Sequence, residues 1–280
     1  MRVTLRGTRG SLATPGPDTV RYGGNTSCVE VIGDAGTVLV LDAGTGIRRL
    51  SAALPKYLKR IDILLTHLHM DHIQGLGFFA LLHEAETEVH IWGPASTTQN
   101  LQARLKRYLS PPLFPVRLSD LACKLSFHEV PSDDVDIGEF RVTTALVCHP
   151  GPTVGYRIAC PKGGVLTYLP DHEPALGILR FPTLPRQWTS GASLAGDASL
   201  LIHDSQYTSA EYASRQGWGH SAFEQTLAFA TLTGVRRLVP FHHDPEHSDT
   251  MLDQILAEAV QKANPAYQVV AGQEGTTFEV

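Results

Sequence analysis

Residues 66–75 read THLHMDHIQG, and His67, His69, Asp71 and His72 fall within six consecutive positions. Imidazole and carboxylate are the usual ligands for zinc and similar divalent ions. The residues just before the cluster, RIDILL at 60–65, form a short apolar run that reads as a buried strand. The cluster therefore lies where a strand stops and a helix begins. In such a turn alternate residues point the same way. His67 and His69 can share one metal ion there, while Asp71 and His72 serve a second.

The chain around this stretch reads as two similar strand-rich halves with helices. RVTLRG (2–7) alternates like an edge or half-buried strand, whereas TVLVLDAG (37–44) has the unbroken apolar run of a buried one. IRRLSAALPKYL (47–58), IQGLGFFALLHE (73–84) and TTQNLQARLKRYLS (97–110) are expected to be helices, the last closed by Pro111 and Pro112. In the second half FRVTTALVCH, TVGYRIAC, GVLTYLPDHE, ASLLIHDSQY and VRRLVPFHHD read as strands. SAFEQTLAFATLTG and TMLDQILAEAVQKAN read as helices. Two packed β-sheets with helices outside, an αββα layering of α/β class, accommodate this order. No linker divides it, so one domain over 1–280 is expected. Residues 172–196 carry three prolines and no period, and read as a long loop capping the site.

Composition narrows the function. Hydrophobic residues make up 42% of the chain and charged residues 18%, which suits a globular protein with a sizeable core. No run of about 18 apolar residues is present, so no membrane span is expected. The N-terminus lacks the apolar segment of a signal peptide, which points to the cytoplasm. Cys28, Cys123, Cys148 and Cys160 are scattered and form no CxxC pair, so buried reduced thiols are expected. A net charge of −5 argues against a broad basic surface for long nucleic acid.

HLHMDH (67–72) fits the HxHxDH signature of the metallo-β-lactamase-fold hydrolases, and the chain resembles that family along nearly its whole length. The resemblance implies a two-metal site between the sheets. His149 after TTALVC resembles the histidine of the third motif. Asp171 in TYLPDHE resembles the aspartate that bridges the metals. The histidine closing RRLVPFHH resembles the last ligand, with His242 preferred to His243 for its place straight after the strand. The implied ligands are His67, His69, His149 and Asp171 for one ion, and Asp71, His72, Asp171 and His242 for the other. Zinc suits these side chains best, with manganese or iron as alternatives. Asp42 in LVLDAG is expected to orient a ligand from behind.

Within the family, RGTRGSLATPGPDTVRYGGNTS (6–27) is similar to the opening of the ribonuclease Z branch, through Gly7, Thr8, Arg21, Asn25 and Thr26. LLIHDSQY (200–207) resembles the branch's H-E-A-T segment, with Asp204 in place of its glutamate. GHS (219–221) resembles its G-H-S-T segment. Carried over, Asp204 and His220 protonate the leaving oxygen, a job that suits a histidine held by a carboxylate. The branch's tRNA-gripping arm typically lies between the third-motif histidine and the bridging aspartate. Here those residues are only 22 positions apart, and two strands with a turn consume them.

The resulting expectation is a two-metal phosphodiesterase for small phosphodiesters such as cyclic nucleotides. A hydroxide held between the metals attacks phosphorus, Asp71 positions it, and His220 with Asp204 protonates the leaving group. Asn25 and Thr26 are expected to bind substrate oxygens, and Trp188 to stack on a base or aryl group or else to cover the core. Three alternatives stay open: a lactonase or β-lactamase-type hydrolase on the same metals, an endoribonuclease, and a metal-bound sensor without turnover. The branch also suggests a homodimer, which no stretch of this sequence shows.

Overall fold

In the computed structural model, residues 1–54, 58–130, 134–176, 181–182 and 185–280 are described. The first sheet contains β1 (Arg2–Gly7), β2 (Cys28–Ile32), β3 (Val38–Leu41), β4 (Arg60–Leu64), β5 (Glu88–Pro94) and β6 (Lys124–Val130). The second contains β7 (Val135–Ile137), β8 (Phe140–Leu146), β9 (Val154–Ala159), β10 (Val165–Leu169), β11 (Leu200–Asp204), β12 (Arg237–Phe241) and β13 (Gln268–Val269). The C-terminal β14 (Thr277–Glu279) returns to the first sheet, giving the orders β14-β1-β2-β3-β4-β5-β6 and β13-β12-β11-β10-β9-β8-β7. Both sheets are mixed. β3 through β6 are parallel, as are β10 through β13, and the remaining neighbours are antiparallel.

The unbroken apolar runs have a direct cause. Successive strand residues face opposite sides. Leu39 and Leu41 of β3 enter the core between the sheets, and Val38 and Val40 enter a second core under the outer layer. On the other sheet Leu200 and Ile202 face inward, while Leu201 packs outward with Phe223, Leu227 and Leu252. Those outer contacts come from the helices Phe223–Thr233 and Asp249–Ala263. Each fully buried Leu, Ile or Val contributes about 1.5–3 kcal/mol. Strands apolar on both faces therefore carry helices on their outer sides, which is the αββα order expected. Among the described residues no helix is long and apolar enough to cross a membrane.

Several elements differ from the reading of the sequence. β1 is an inner strand, because β14 pairs with it antiparallel, Val3 opposite Phe278. Three residues of strand are too few to show a period. Residues 73–84 form no continuous helix but the 3-10 turns Leu76–Phe78 and Ala80–His83. Gly75 lies against the Gly44 carbonyl and Gly77 against Phe114, with no room for a Cβ at either. Glycine serves close approach here and weakens the helix. The 97–110 helix shrinks to Leu101–Leu105, starting where the Asn100 side chain accepts the Ala103 N–H at 2.8 Å. At 47–58, a 3-10 turn ending at Arg49 leads into one helical turn, Leu50–Ala53, and Pro55 to Tyr57 lie outside the described residues.

The topology sets up the site. β8 is antiparallel to β9 and β9 to β10, so β8, β10, β11 and β12 all end at one edge of their sheet. β3 and β4 end together on the other sheet. Asp42, His67, His149, Asp171, Asp204 and His242 all lie at or just beyond these ends.

Candidate metal centre

Two of these strand ends carry strained backbone. Asp42 after β3 has φ 58° and His242 after β12 has φ 60°, in the left-handed region that non-glycine residues seldom occupy. Such strain persists where the surroundings hold it, and it gathers at functional sites. After β4, His67 leads to His69, which caps the one-turn helix Met70–Ile73 with no side-chain bond of its own. Asp71 and His72 then fall in that turn and point back at the strand ends.

Three groups of ligand atoms converge: His67, His69, His149 and Asp171; Asp71, His72 and His242; and Asp171, His220 and His242. In each group the atoms lie within 4.8 Å of one another. Asp171 is the carboxylate common to both halves. Its Oδ1 is 3.0 Å from His72 Nε2 and 3.3 Å from His242 Nε2. Its Oδ2 is 3.6 Å from His67 Nε2 and 3.8 Å from His149 Nε2.

The outer nitrogens of four histidines are already occupied. His67 Nδ1 meets Thr66 Oγ1 at 3.1 Å, His72 Nδ1 meets Asp42 at 2.8 Å, His149 Nδ1 meets the Gly219 carbonyl at 2.9 Å, and His242 Nδ1 meets Gln206 Oε1 at 3.0 Å. Each of these oxygens can accept a hydrogen bond from Nδ1–H, and in that tautomer the Nε2 lone pairs are directed into the site. Asp42 anchors two of them. It takes His72 directly and His67 through Thr66, and it also accepts the Thr66 N–H and the Tyr168 hydroxyl.

These residues fit divalent cations. His67 Nε2 is buried without a hydrogen-bond partner, an omission that costs about 1–3 kcal/mol in an otherwise satisfied interior. His69 Nδ1 faces His149 Nε2 at 3.2 Å, and His72 Nε2 faces His242 Nε2 at 3.3 Å. Acceptors aimed at one another need positive charge between them. Burial opposes a proton on His72, yet Asp171, Asp71 and Asp42 outweigh it and raise its pKa. Burial likewise favours neutral Asp171, but His242, His72 and His67 hold its pKa well below the usual range.

Beside this cluster, Asp204 Oδ2 binds His220 Nδ1 at 2.7 Å. The aspartate is shorter than the glutamate of the branch, yet it meets the ring from the end of β11, where it is fully buried. It also accepts the backbone N–H groups of His172, Gln206 and Ser221. Burial pushes the His220 imidazole down, but Asp204 dominates and lifts it to about 9. A histidine in that state carries a proton at neutral pH.

His243 turns away from the cluster. Its Nε2 binds the Gly272 carbonyl at 2.9 Å, and burial pushes its pKa down to about 3. Asn25 and Thr26, expected to bind substrate, are bonded within the protein. Asn25 Nδ2 donates to Glu274 at 2.9 Å, and Thr26 is fully buried with its hydroxyl accepting the Thr45 N–H. Both tie the N-terminal loop to the scaffold. Trp188 ends a 3-10 turn and is 74% exposed, so it does not cover the core. Residues 177–180 and 183–184 of the 172–196 loop lie outside the described residues. Two contributors were missed in the sequence. Ser11 donates its N–H to Asp71 Oδ2 at 2.8 Å, and Gln206 orients His242. Gly10, just before Ser11, packs so close to the His242 ring that a Cβ there would collide with it.

Residues 37–243 match the family model of the beta-lactamase superfamily domain. Ribonuclease Z of Gemmatimonas aurantiaca is 26% identical over 290 residues, covering 88% of this chain and 87% of the relative. The short form of human tRNase Z superposes with a TM-score of 0.69 at 22% identity, covering 100% of this chain and 99% of that one. A diphosphatase from the PhnP family superposes with a TM-score of 0.68 at 17% identity, covering 100% and 98%. The chain belongs to the beta-lactamase superfamily, with the metallo-β-lactamase fold of metal-dependent hydrolases, and over most of its length it is similar to ribonuclease Z proteins.

Proposed function

We propose that this chain is a dinuclear phosphodiesterase that cleaves small phosphodiesters such as cyclic nucleotides. The observation that carries the reading is the Asp204–His220 pair beside the convergent ligand set. Hydrolysis of a lactone or β-lactam on the same metals has no need of that pair. His67, His69, His149 and Asp171 would hold one ion, and Asp71, His72, Asp171 and His242 the other. Zinc fits the donors best, with manganese or iron as alternatives. The chemistry two such ions supply, when bound, is polarisation of the phosphoryl oxygens and activation of water.

The chain's own residues do the rest. Asp71, held by the Ser11 N–H, keeps a carboxylate at the mouth of the site to orient the attacking water. His220 gives its proton to the leaving alkoxide oxygen as the P–O bond breaks, and Asp204 stabilises the imidazolium that holds that proton beforehand. Trp188 is assigned to the rim.

Substrate size follows from the segment between His149 and Asp171. β9, a turn and β10 consume it, which leaves no protruding arm, and the net charge of −5 lacks a phosphate-backbone footprint. Similarity to ribonuclease Z proteins over most of the chain favours a second reading, an endoribonuclease acting on tRNA precursors. One screen separates the two. Bis(p-nitrophenyl) phosphate and the 2′,3′- and 3′,5′-cyclic nucleotides are expected to be cleaved, and a precursor tRNA left untrimmed. Efficient site-specific removal of a tRNA 3′ trailer would refute the small-diester reading.

Asp42 offers a test of the ligand set that involves no substrate. It fixes His72 directly and His67 through Thr66. Asp42→Ala is therefore expected to weaken metal affinity about 10–100-fold, the usual cost of losing such a partner. Competition against a chelator measures this. Unchanged affinity in a folded variant would remove His67 and His72 from the proposed ligands.

A further inference from the structure

Glu173 is a buried carboxylate that the mechanism above does not use. It is 1% exposed and meets no cationic side chain among the described residues. It accepts the Gly217 N–H at 2.8 Å, the Gly219 N–H at 2.7 Å and the Tyr212 hydroxyl at 2.8 Å. An unpaired buried carboxylate is expensive unless several donors converge on it. Here they do, and what they fix is one turn of chain.

That turn runs into the site. Gly217 and Gly219 have φ 85° and 91°, values open to glycine at little cost. The Gly219 carbonyl receives His149 Nδ1, and His220 follows directly. Between the two pinned glycines stands Trp218, 60% exposed, with its backbone N–H bonded to the Arg215 carbonyl at 3.1 Å. A large apolar ring is thus held out in water by a rigid support. On the same turn, the Arg215 guanidinium lies 5.0 Å from the centre of the Tyr207 ring, and that ring meets His220 edge-on at 5.8 Å. Arg215 pairs with no carboxylate among the described residues, so its charge is free for an anionic ligand.

We propose that the Arg215–Gly219 turn is a binding subsite for the leaving-group side of the substrate, with the Trp218 indole as the stacking face for a nucleobase. The assignment rests on the phosphodiesterase reading, because His220 marks the side on which the leaving oxygen lies. Stacking suits an exposed tryptophan, since every base has a flat face and the indole keeps little freedom to lose. Glu173 is the positioning residue of this subsite. It sets the turn on which Trp218 stands and from which His220 projects.

Two cyclic phosphates with the same reacting ring test it: adenosine 2′,3′-cyclic phosphate, and the 2,3-cyclic phosphate of 1,4-anhydroerythritol, which lacks the base. Trp218→Ala is expected to raise KM for the adenosine compound roughly ten- to a hundredfold. The loss on the base-free compound is expected to be at least about tenfold smaller, and Trp218→Phe to restore most of the difference. Glu173→Gln is expected to shift KM in the same direction and to speed amide hydrogen exchange at Gly217 and Gly219. Equal losses on both compounds would overturn the subsite. A second arm needs no turnover: adenosine monophosphate is titrated into wild type and Trp218→Ala by calorimetry. Absence of binding to wild type, or affinity unchanged in the variant, also overturns it. Should neither cyclic phosphate be cleaved by wild type, the phosphodiesterase reading fails, and the titration still decides the subsite.

Discussion

Asp171→Ala is expected to lose bound metal and every hydrolytic activity together, with the fold retained. The reason is the position of this one carboxylate. Each of its oxygens faces imidazole nitrogens of a different half of the site, His72 and His242 on one side, His67 and His149 on the other. No other carboxylate among the described residues reaches both halves. Removing an outer partner costs metal affinity about 10–100-fold, and removing the shared ligand is expected to cost well beyond that. The fold is expected to persist, because the three apolar cores are built from other side chains and Asp171 belongs to none of them. Asp171→Asn keeps the volume and removes the charge, so it isolates the electrostatic part. Elemental analysis, circular dichroism and rates on aryl and cyclic diesters check the expectation. A folded Asp171→Ala protein that keeps two equivalents of metal would show that the two halves do not share this residue.

The parts of this site legible in the sequence are those encoded by adjacency. His67, His69, Asp71 and His72 lie within one turn of chain, and an apolar run before them signals the strand that aims them. His149, Asp171 and His242 could be placed because each directly follows a strand and family order supplied the rest. His242 against His243 is a choice of register; in the fold His242, on a left-handed backbone, joins the cluster, and the Gly272 carbonyl holds His243 away from it. What stayed hidden depends on long-range contacts. Gln206 meets His242 across 36 positions, Ser11 meets Asp71 across 60, and Glu173 meets Gly217 and Gly219 across 44 and 46. No local pattern announces such pairs. The partner of Asn25 stayed hidden for the same reason. The place of Asn25 in the branch motif says nothing of where its amide goes, and it goes to Glu274, 249 positions away. The two glycines at 75 and 77 show the opposite failure, a helical apolar pattern overruled by backbone packing.

The halves of the site divide the labour, and that division can be measured. On the proposed phosphodiesterase reading, Asp171 and the imidazoles around it provide for the attacking side of phosphorus, whereas His220 and Asp204 provide for the departing side. The second function is needed only when the departing oxygen is a poor leaving group. An alkoxide requires a proton as its bond to phosphorus breaks, and p-nitrophenolate leaves without one. His220→Ala is therefore expected to slow diesters with alkoxide leaving groups by roughly 10²–10⁴-fold, the range that general acid catalysis contributes. Aryl diesters are expected to suffer much less, with metal content and fold unchanged. Asp204→Asn is expected to give a milder loss in the same order, because it removes the charge that lifts His220 to about 9 and leaves the ring in place. The decisive quantity is the mutant to wild-type ratio of kcat/KM along a series of leaving groups of rising pKa. A ratio that falls steadily along the series identifies the proton donor. A flat ratio would make His220 a binding or metal-supporting residue instead, consistent with its third-group position beside Asp171 and His242, and the proton would then have to come from water.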